Sequence, residues 1–175
     1  MNFLKRLFNI QIHEDREIEN QDVKLSLDDL FVHNFVKKEG KFLYCLNAEE
    51  VIDNLKKVFS ENGWDEVYLL DTSLVTLFDK NTVKVTPKFN DNTPILTSCE
   101  HLIADNGDIL FSSNQLGSTR LKDFSENFIV YATTSQLVKD TGQGLTGIKT
   151  NSTERLPTNI SAIKNYIINN NDDNF

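Results

Sequence analysis

Residues 97–113 read TSCEHLIADNGDILFSS and set Cys99, Glu100 and His101 side by side. A thiol, a carboxylate and an imidazole are the groups of nucleophilic and general acid–base chemistry. Their spacing works against that use. In a strand, adjacent side chains point to opposite faces, so Cys99 and His101 share one face and Glu100 takes the other. A metal needs three or four ligands at suitable spacing, and the other histidines, His13 and His33, stand far away in sequence. The sequence therefore predicts no metal site, and a Cys99 that packs as a small hydrophobe.

Two other stretches offer binding chemistry. Asp105, Asn106, Gly107 and Asp108 form a strong turn signal between apolar runs. Asn-Gly suits a type I′ hairpin, in which both central residues have φ > 0. Such a turn presents backbone N–H groups and the Asp105 carboxylate at a sheet edge. Thr133, Thr134 and Ser135 stand where an apolar strand runs into a helix start. Ligands of open α/β sheets sit at the carboxyl ends of strands, and helix N-termini favour anions; plain helix capping by Thr134 or Ser135 uses the same residues. Gly142, Gly144 and Gly147 match G-x-G-x-x-G, but a dinucleotide motif needs a strand directly before it and a helix after it. Here a helical turn precedes, so the stretch reads as a glycine-rich loop whose free amides cradle an anion at most. Arg155 is the candidate cation for such an anion.

Positioning these groups falls to an alternation of helices and strands. Ser26 caps a helix with an apolar stripe at Leu27, Leu30, Phe31, Phe35 and Val36, closed by Gly40. KFLYCL (41–46) reads as a strand. A second helix runs between Asn47 and Gly63, with Val51, Leu55, Val58 and Phe59 inward. EVYLLD (66–71) is a strand, 72–81 a short helix, and TVKVTPKF (82–89) an edge strand, since Pro87 cannot donate to a ladder. Residues 94–111 give a strand and a hairpin, NFIVYATT (127–134) an apolar strand, and 141–157 a loop. TNISAIKNYIINN (158–170) reads as a final helix with Ile160, Ile163 and Ile167 or Ile168 inward. The alternation predicts an α/β fold: a mostly parallel sheet with helices on both faces and a β-hairpin. Residues 1–25 are expected to be an arm and linker, 26–168 the domain, and 169–175 a disordered tail.

The totals narrow the function classes. With 175 residues, 39% hydrophobic and 25% charged, the chain suits one domain with a sizeable core. A net charge of −8 argues against a nucleic-acid partner and against anionic lipid. Two cysteines, Cys45 and Cys99, without a CxxC pair, argue for reduced thiols in a cytoplasmic protein. No run is long enough for a transmembrane segment, and the start of the chain does not read as a signal peptide. Phe3, Leu4, Leu7 and Phe8, with Lys5 and Arg6 between them, have amphipathic helical spacing.

Taken in order, these motifs resemble the lactate-utilisation (LUD) domain family. That family has a Thr, then Ile-Ala-Asp, then Gly and an apolar strand, matched here by Thr97, Ile103, Ala104, Asp105 and Gly107. NFIVYATTSQLV is similar to its next strand and helix, and LPTNISAIK to its Gly-Pro-Ser-Arg-Thr stretch, with Pro157, Thr158 and Ile163 in register. The resemblance implies a fold like the sugar-isomerase and CoA-transferase-like α/β group. It implies a link to lactate (organic-acid) utilisation, a small anionic metabolite as ligand, and an iron–sulfur oxidoreductase subunit as a partner. The ligand-binding set it suggests is Asp105, Asn106, Gly107, Thr133, Thr134, Ser135, Arg155 and Thr158. No cofactor is expected in the chain itself, which has no cysteine cluster for an iron–sulfur centre. The family's Arg and Asp are replaced by Asn159 and Ala162. That supports an alternative, a non-catalytic interaction or scaffold protein that keeps the fold, and catalysis is left open.

Overall fold

The computed structural model describes residues 25–78, 83–90, 93–117, 119, 127–152, 155–164 and 166. The arm before residue 25, the tail after residue 168 and the inward Ile167 or Ile168 lie outside the described residues. Helix α1 spans Leu27–Lys37, and the Ser26 hydroxyl accepts from the Asp29 amide as an N-cap should. Helix α2 spans Ala48–Asn62 between Asn47 and a left-handed Gly63. Strand β1 (Glu66–Leu69) leads into a 3-10 turn over Thr72–Leu77, followed by β2 (Lys84–Thr86). Then come β3 (Ile95–Ser98), β4 (His101–Ile103), β5 (Asp108–Ser112) and the short α3 (Ser113–Leu116). Strand β6 (Phe128–Tyr131), a 3-10 turn at Thr134–Gln136, β7 (Leu137–Val138), α4 (Thr141–Asn151) and β8 (Ile160–Ile163) complete the order.

The α/β expectation holds, but the strands divide between two four-stranded sheets. The first is all parallel in the order β2-β1-β3-β6, and the second is mixed in the order β7-β4-β5-β8. Strand β2 is an edge, and it ends at Thr86, just before Pro87. Helix α2 packs Leu55 and Phe59 on Val67, Leu69 and Leu96 of the first sheet. Helix α4 packs Ile148 on Ile103 and Leu110 of the second. Between the sheets lies a shared core of Phe31 and Phe35 from α1, Leu102, Ile109, Phe111 and Ile163, with Phe128 and Val130 from β6 against it.

Several elements differ from the reading of the sequence, each for a physical reason. Residues 41–46 form no strand, because a strand needs a neighbouring edge and no described strand pairs with them. The left-handed residue that closes helix α1, two positions past Lys37, is Glu39 (φ 68°) rather than Gly40, which is buried under the Phe35 ring. Residues 141–151 are the helix α4, not a loop. Glycine weakens an isolated helix by about 1 kcal/mol per residue, but a β-carbon at Gly144 would sit 2.9 Å from Leu110 Cδ1 and 3.1 Å from Ile103 Cδ1. The bare helix face lets α4 lie close on the sheet, and the Asp140 carboxylate caps it through the Gln143 amide at 2.9 Å. Residues 160–163 are a strand, not part of a helix. The Ile160 and Ile163 spacing suits a helix, yet β8 pairs antiparallel with β5 and both its faces are covered. Ile160 and Ala162 face the α4 side, and Ile163 faces the shared core.

The hairpin is real but is not type I′. Ile103 pairs with Asp108, leaving a four-residue loop in which only Gly107 (φ 74°) is left-handed. The Gly107 amide donates to the Ile103 carbonyl at 2.8 Å. Asn106 therefore keeps a negative φ, and its side chain serves the turn instead: its Oδ1 accepts from the Asp108 amide at 3.0 Å.

Candidate functional site at the carboxyl edge of the parallel sheet

In a parallel sheet every strand ends at the same edge, so side chains just past β1, β3 and β6 gather there. Past β1 stands Asp71, whose carboxylate accepts from the Ser73 hydroxyl at 2.6 Å and the Ser98 hydroxyl at 2.5 Å. Burial pushes the Asp71 carboxyl up, but the bonds from Ser73 and Ser98 outweigh it and hold it below the usual carboxylate range. Past β3 the chain runs through Cys99 and Glu100 into the second sheet. Glu100 accepts from Ser112 Oγ, at the end of β5, at 2.5 Å. Past β6 lie Thr133 and Ser135, whose hydroxyls are 2.7 Å apart, and Gln136.

Gln136 ties these ends together. Its Nε2 donates to the Cys99 carbonyl, and its Oε1 accepts from the Thr133 amide at 2.8 Å. Its backbone carbonyl meets His101 Nδ1 at 3.2 Å. Cys99, Glu100 and His101 thus diverge: Cys99 is buried, Glu100 reaches Ser112, and His101 turns towards Gln136 and Gly147 of α4. Burial, aided by the Glu100 charge, pushes the Cys99 thiol up to about 12, so it is a poor nucleophile. Among the described residues no three His, Cys, Asp or Glu side chains cluster as metal ligands.

The residues singled out in the sequence fall into two groups. Thr133, Thr134 and Ser135 are exposed at the carboxyl edge. Thr158 lies at the same end of the second sheet, where its amide donates to Ser113 Oγ at 2.9 Å. The Arg155 carbonyl accepts from Asn114 Nδ2 at 2.9 Å, and the Asn114 amide donates to Ser112 Oγ. Arg155 is therefore joined to Glu100 through a short run of hydrogen bonds, and its guanidinium forms no ion pair with a described residue. No hydrogen bond joins the Thr133–Ser135 group to Arg155 or Thr158.

Asp105, Asn106 and Gly107 stand at the opposite end of β4 and β5, clasped by α1. Asn34 Nδ2 donates to the Ala104 carbonyl at 2.8 Å and to the Asp105 carbonyl at 3.1 Å. Lys38 pairs with Asp108 at 2.6 Å, and the Tyr166 hydroxyl donates to the Gly107 carbonyl at 2.7 Å. Burial, with the Asp108 charge beside it, pushes the Tyr166 phenol well above its ordinary value. A small concavity of about 190 Å³ lies at neither place, but at the other edge of the first sheet beside Trp64, Glu66 and Thr93.

Sequence reasoning missed Asp71, Ser98, Ser112 and Gln136. The signal for Asp71 was present, since EVYLLDTS places an acidic residue directly after an apolar strand and before hydroxyls. The pairing of Ser112 with Glu100 joins residues 12 apart across a hairpin, which spacing alone does not indicate. Comparison with known protein families, with curated proteins and with solved structures finds no match.

Proposed function

We propose that this protein binds a small hydroxylated organic acid at the carboxyl edge of its parallel sheet, in the manner of a LUD-like protein of lactate utilisation. The observation that carries the reading is the gathering of donors and acceptors at that edge. Asp71 and Glu100 carry acceptor carboxylates, and Thr133, Thr134 and Ser135 carry exposed hydroxyls able to donate. A 2-hydroxy acid needs both: an acceptor for its hydroxyl and donors for its carboxylate. Arg155 supplies the charge for the carboxylate. The hairpin residues Asp105, Asn106 and Gly107 hold the fold in this reading and do not touch the ligand.

Titration calorimetry with lactate, pyruvate, sugar phosphates and CoA esters tests it. Lactate or pyruvate is expected to bind, with Arg155→Ala losing roughly 1.5–3 kcal/mol of the affinity. Absence of binding at millimolar concentration by every compound rejects the reading. A second reading, a non-catalytic interaction protein, is favoured by a different observation, the exposed apolar row at residues 42–46.

A further inference from the structure

Ten large hydrophobic residues are exposed among the described residues, and seven of them lie between Leu25 and Leu46. Four are consecutive or nearly so: Phe42 (38% exposed), Leu43 (60%), Tyr44 (59%) and Leu46 (77%). Isolated exposed hydrophobics are ordinary, whereas a contiguous row marks a contact surface. The main chain in this row is open as well. Among the described residues, no backbone N–H or C=O of residues 41–45 forms a hydrogen bond. The composition of Phe42, Leu43 and Tyr44 suits a strand. The Phe42 and Tyr44 rings stand side by side, with centroids 6.5 Å apart, as alternate residues of a strand do.

We propose that residues 41–46 are a two-fold interface between copies of this chain, each segment adding as an antiparallel strand to that of the other copy. Charge selects both the occupant and the direction. Lys41 opens the segment, and Glu49 and Glu50 follow its end. Antiparallel pairing sets Lys41 of each copy beside the acidic start of α2 in the other. Parallel pairing sets lysine against lysine. The pattern is therefore self-complementary, as a two-fold contact requires. Centred on Leu43, the pairing places Phe42 opposite Tyr44 of the other copy, a favourable cross-strand aromatic pair. It also satisfies backbone groups that are otherwise left to water.

Sedimentation equilibrium on the full chain, from about 1 to 200 μM, measures the association, since strand-sized contacts of this kind fall in the micromolar range. Wild type is expected to be a monomer–dimer mixture, with alternate amides of 41–45, those that face the partner strand, protected from hydrogen exchange only at dimer concentrations. Leu43→Glu is expected to weaken the dimer by about tenfold or more, a change of 1.4 kcal/mol or more. Lys41→Glu and Glu49→Lys should each weaken it, and the double variant should regain most of the loss. These positions are exposed, and an unchanged melting temperature at concentrations where the wild type is monomeric confirms that each variant folds. A wild type that stays monomeric at every concentration overturns the proposal and leaves the row to a different chain. A dimer in which no amide of 41–45 is protected, or one indifferent to Leu43→Glu, overturns it too. Failure of the double variant to recover overturns the antiparallel arrangement.

Discussion

At Gly107 an added β-carbon would stand 2.6 Å from the Phe35 amide nitrogen and 2.7 Å from the Asn34 carbonyl carbon. Both are helix backbone and cannot swing aside, and the positive φ adds strain of its own. Gly107→Ala is therefore expected to destabilise the fold by about 2–4 kcal/mol, read from the midpoint of a urea titration. A loss under about 0.5 kcal/mol would mean that α1 does not lie against the hairpin. Asn-Gly was legible as a turn because its chemistry is local. The clasp was not, since Asn34, Lys38 and Tyr166 come from sequence positions some 60–70 residues away. Alkaline titration tests two residues of this region together. The Cys99 thiol is raised to about 12, and Tyr166 is raised as well. The folded chain then keeps protons that the unfolded chain releases, so stability falls as pH rises from about 9 towards 12, by up to about 1.4 kcal/mol per pH unit for each group. Urea titrations at pH 8, 9.5 and 10.5 should show the decline, and Cys99→Ala should make it shallower.

Among the elements, α1, α2, β1, β2, β3, the hairpin strands and β6 were legible because caps, periodicity and turn residues agree within each segment. The elements that were misread are those whose form is set by a neighbour. Helix α4 has three glycines, which local propensity counts against a helix, while β5 and β4 require a thin face there. Strand β8 carries helix-like spacing, but the free edge of β5 takes it as a strand. The same logic hid half of the candidate site, since Asp71 and Ser98 meet only once β1 and β3 are parallel neighbours. Gly144→Val tests the close approach of α4. The substitution raises strand-type preference slightly but mainly forces the helix off Ile103 and Leu110, so a loss on the order of 2–4 kcal/mol is expected in thermal or urea unfolding. Gly142→Ala, where the β-carbon would meet only the Asp140 carboxylate at 3.1 Å, is expected to change stability by less than about 1 kcal/mol.

Across the whole molecule, the two sheets draw their strands from alternating stretches of chain. The first takes β1, β2, β3 and β6, and the second takes β4, β5, β7 and β8. The chain thus passes from one sheet to the other after β3, returns for β6 and leaves again for β7. No single cut separates two sets of strands, and the second sheet is still open when β6 completes the first. Unfolding is expected to be one all-or-none event, with tryptophan fluorescence at Trp64, beside the first sheet, and far-ultraviolet circular dichroism tracing the same curve. Two separated transitions would contradict the interleaving. It also bears on how such a protein is made. A ribosome that has released the chain only as far as β5 has delivered an incomplete first sheet, still lacking β6, and a second still lacking both outer strands. The nascent chain must wait, with an open side on β3 until β6 has emerged and on β5 until nearly the last residue of β8 has. Its exposure to chaperones and to misassembly is therefore concentrated late in synthesis.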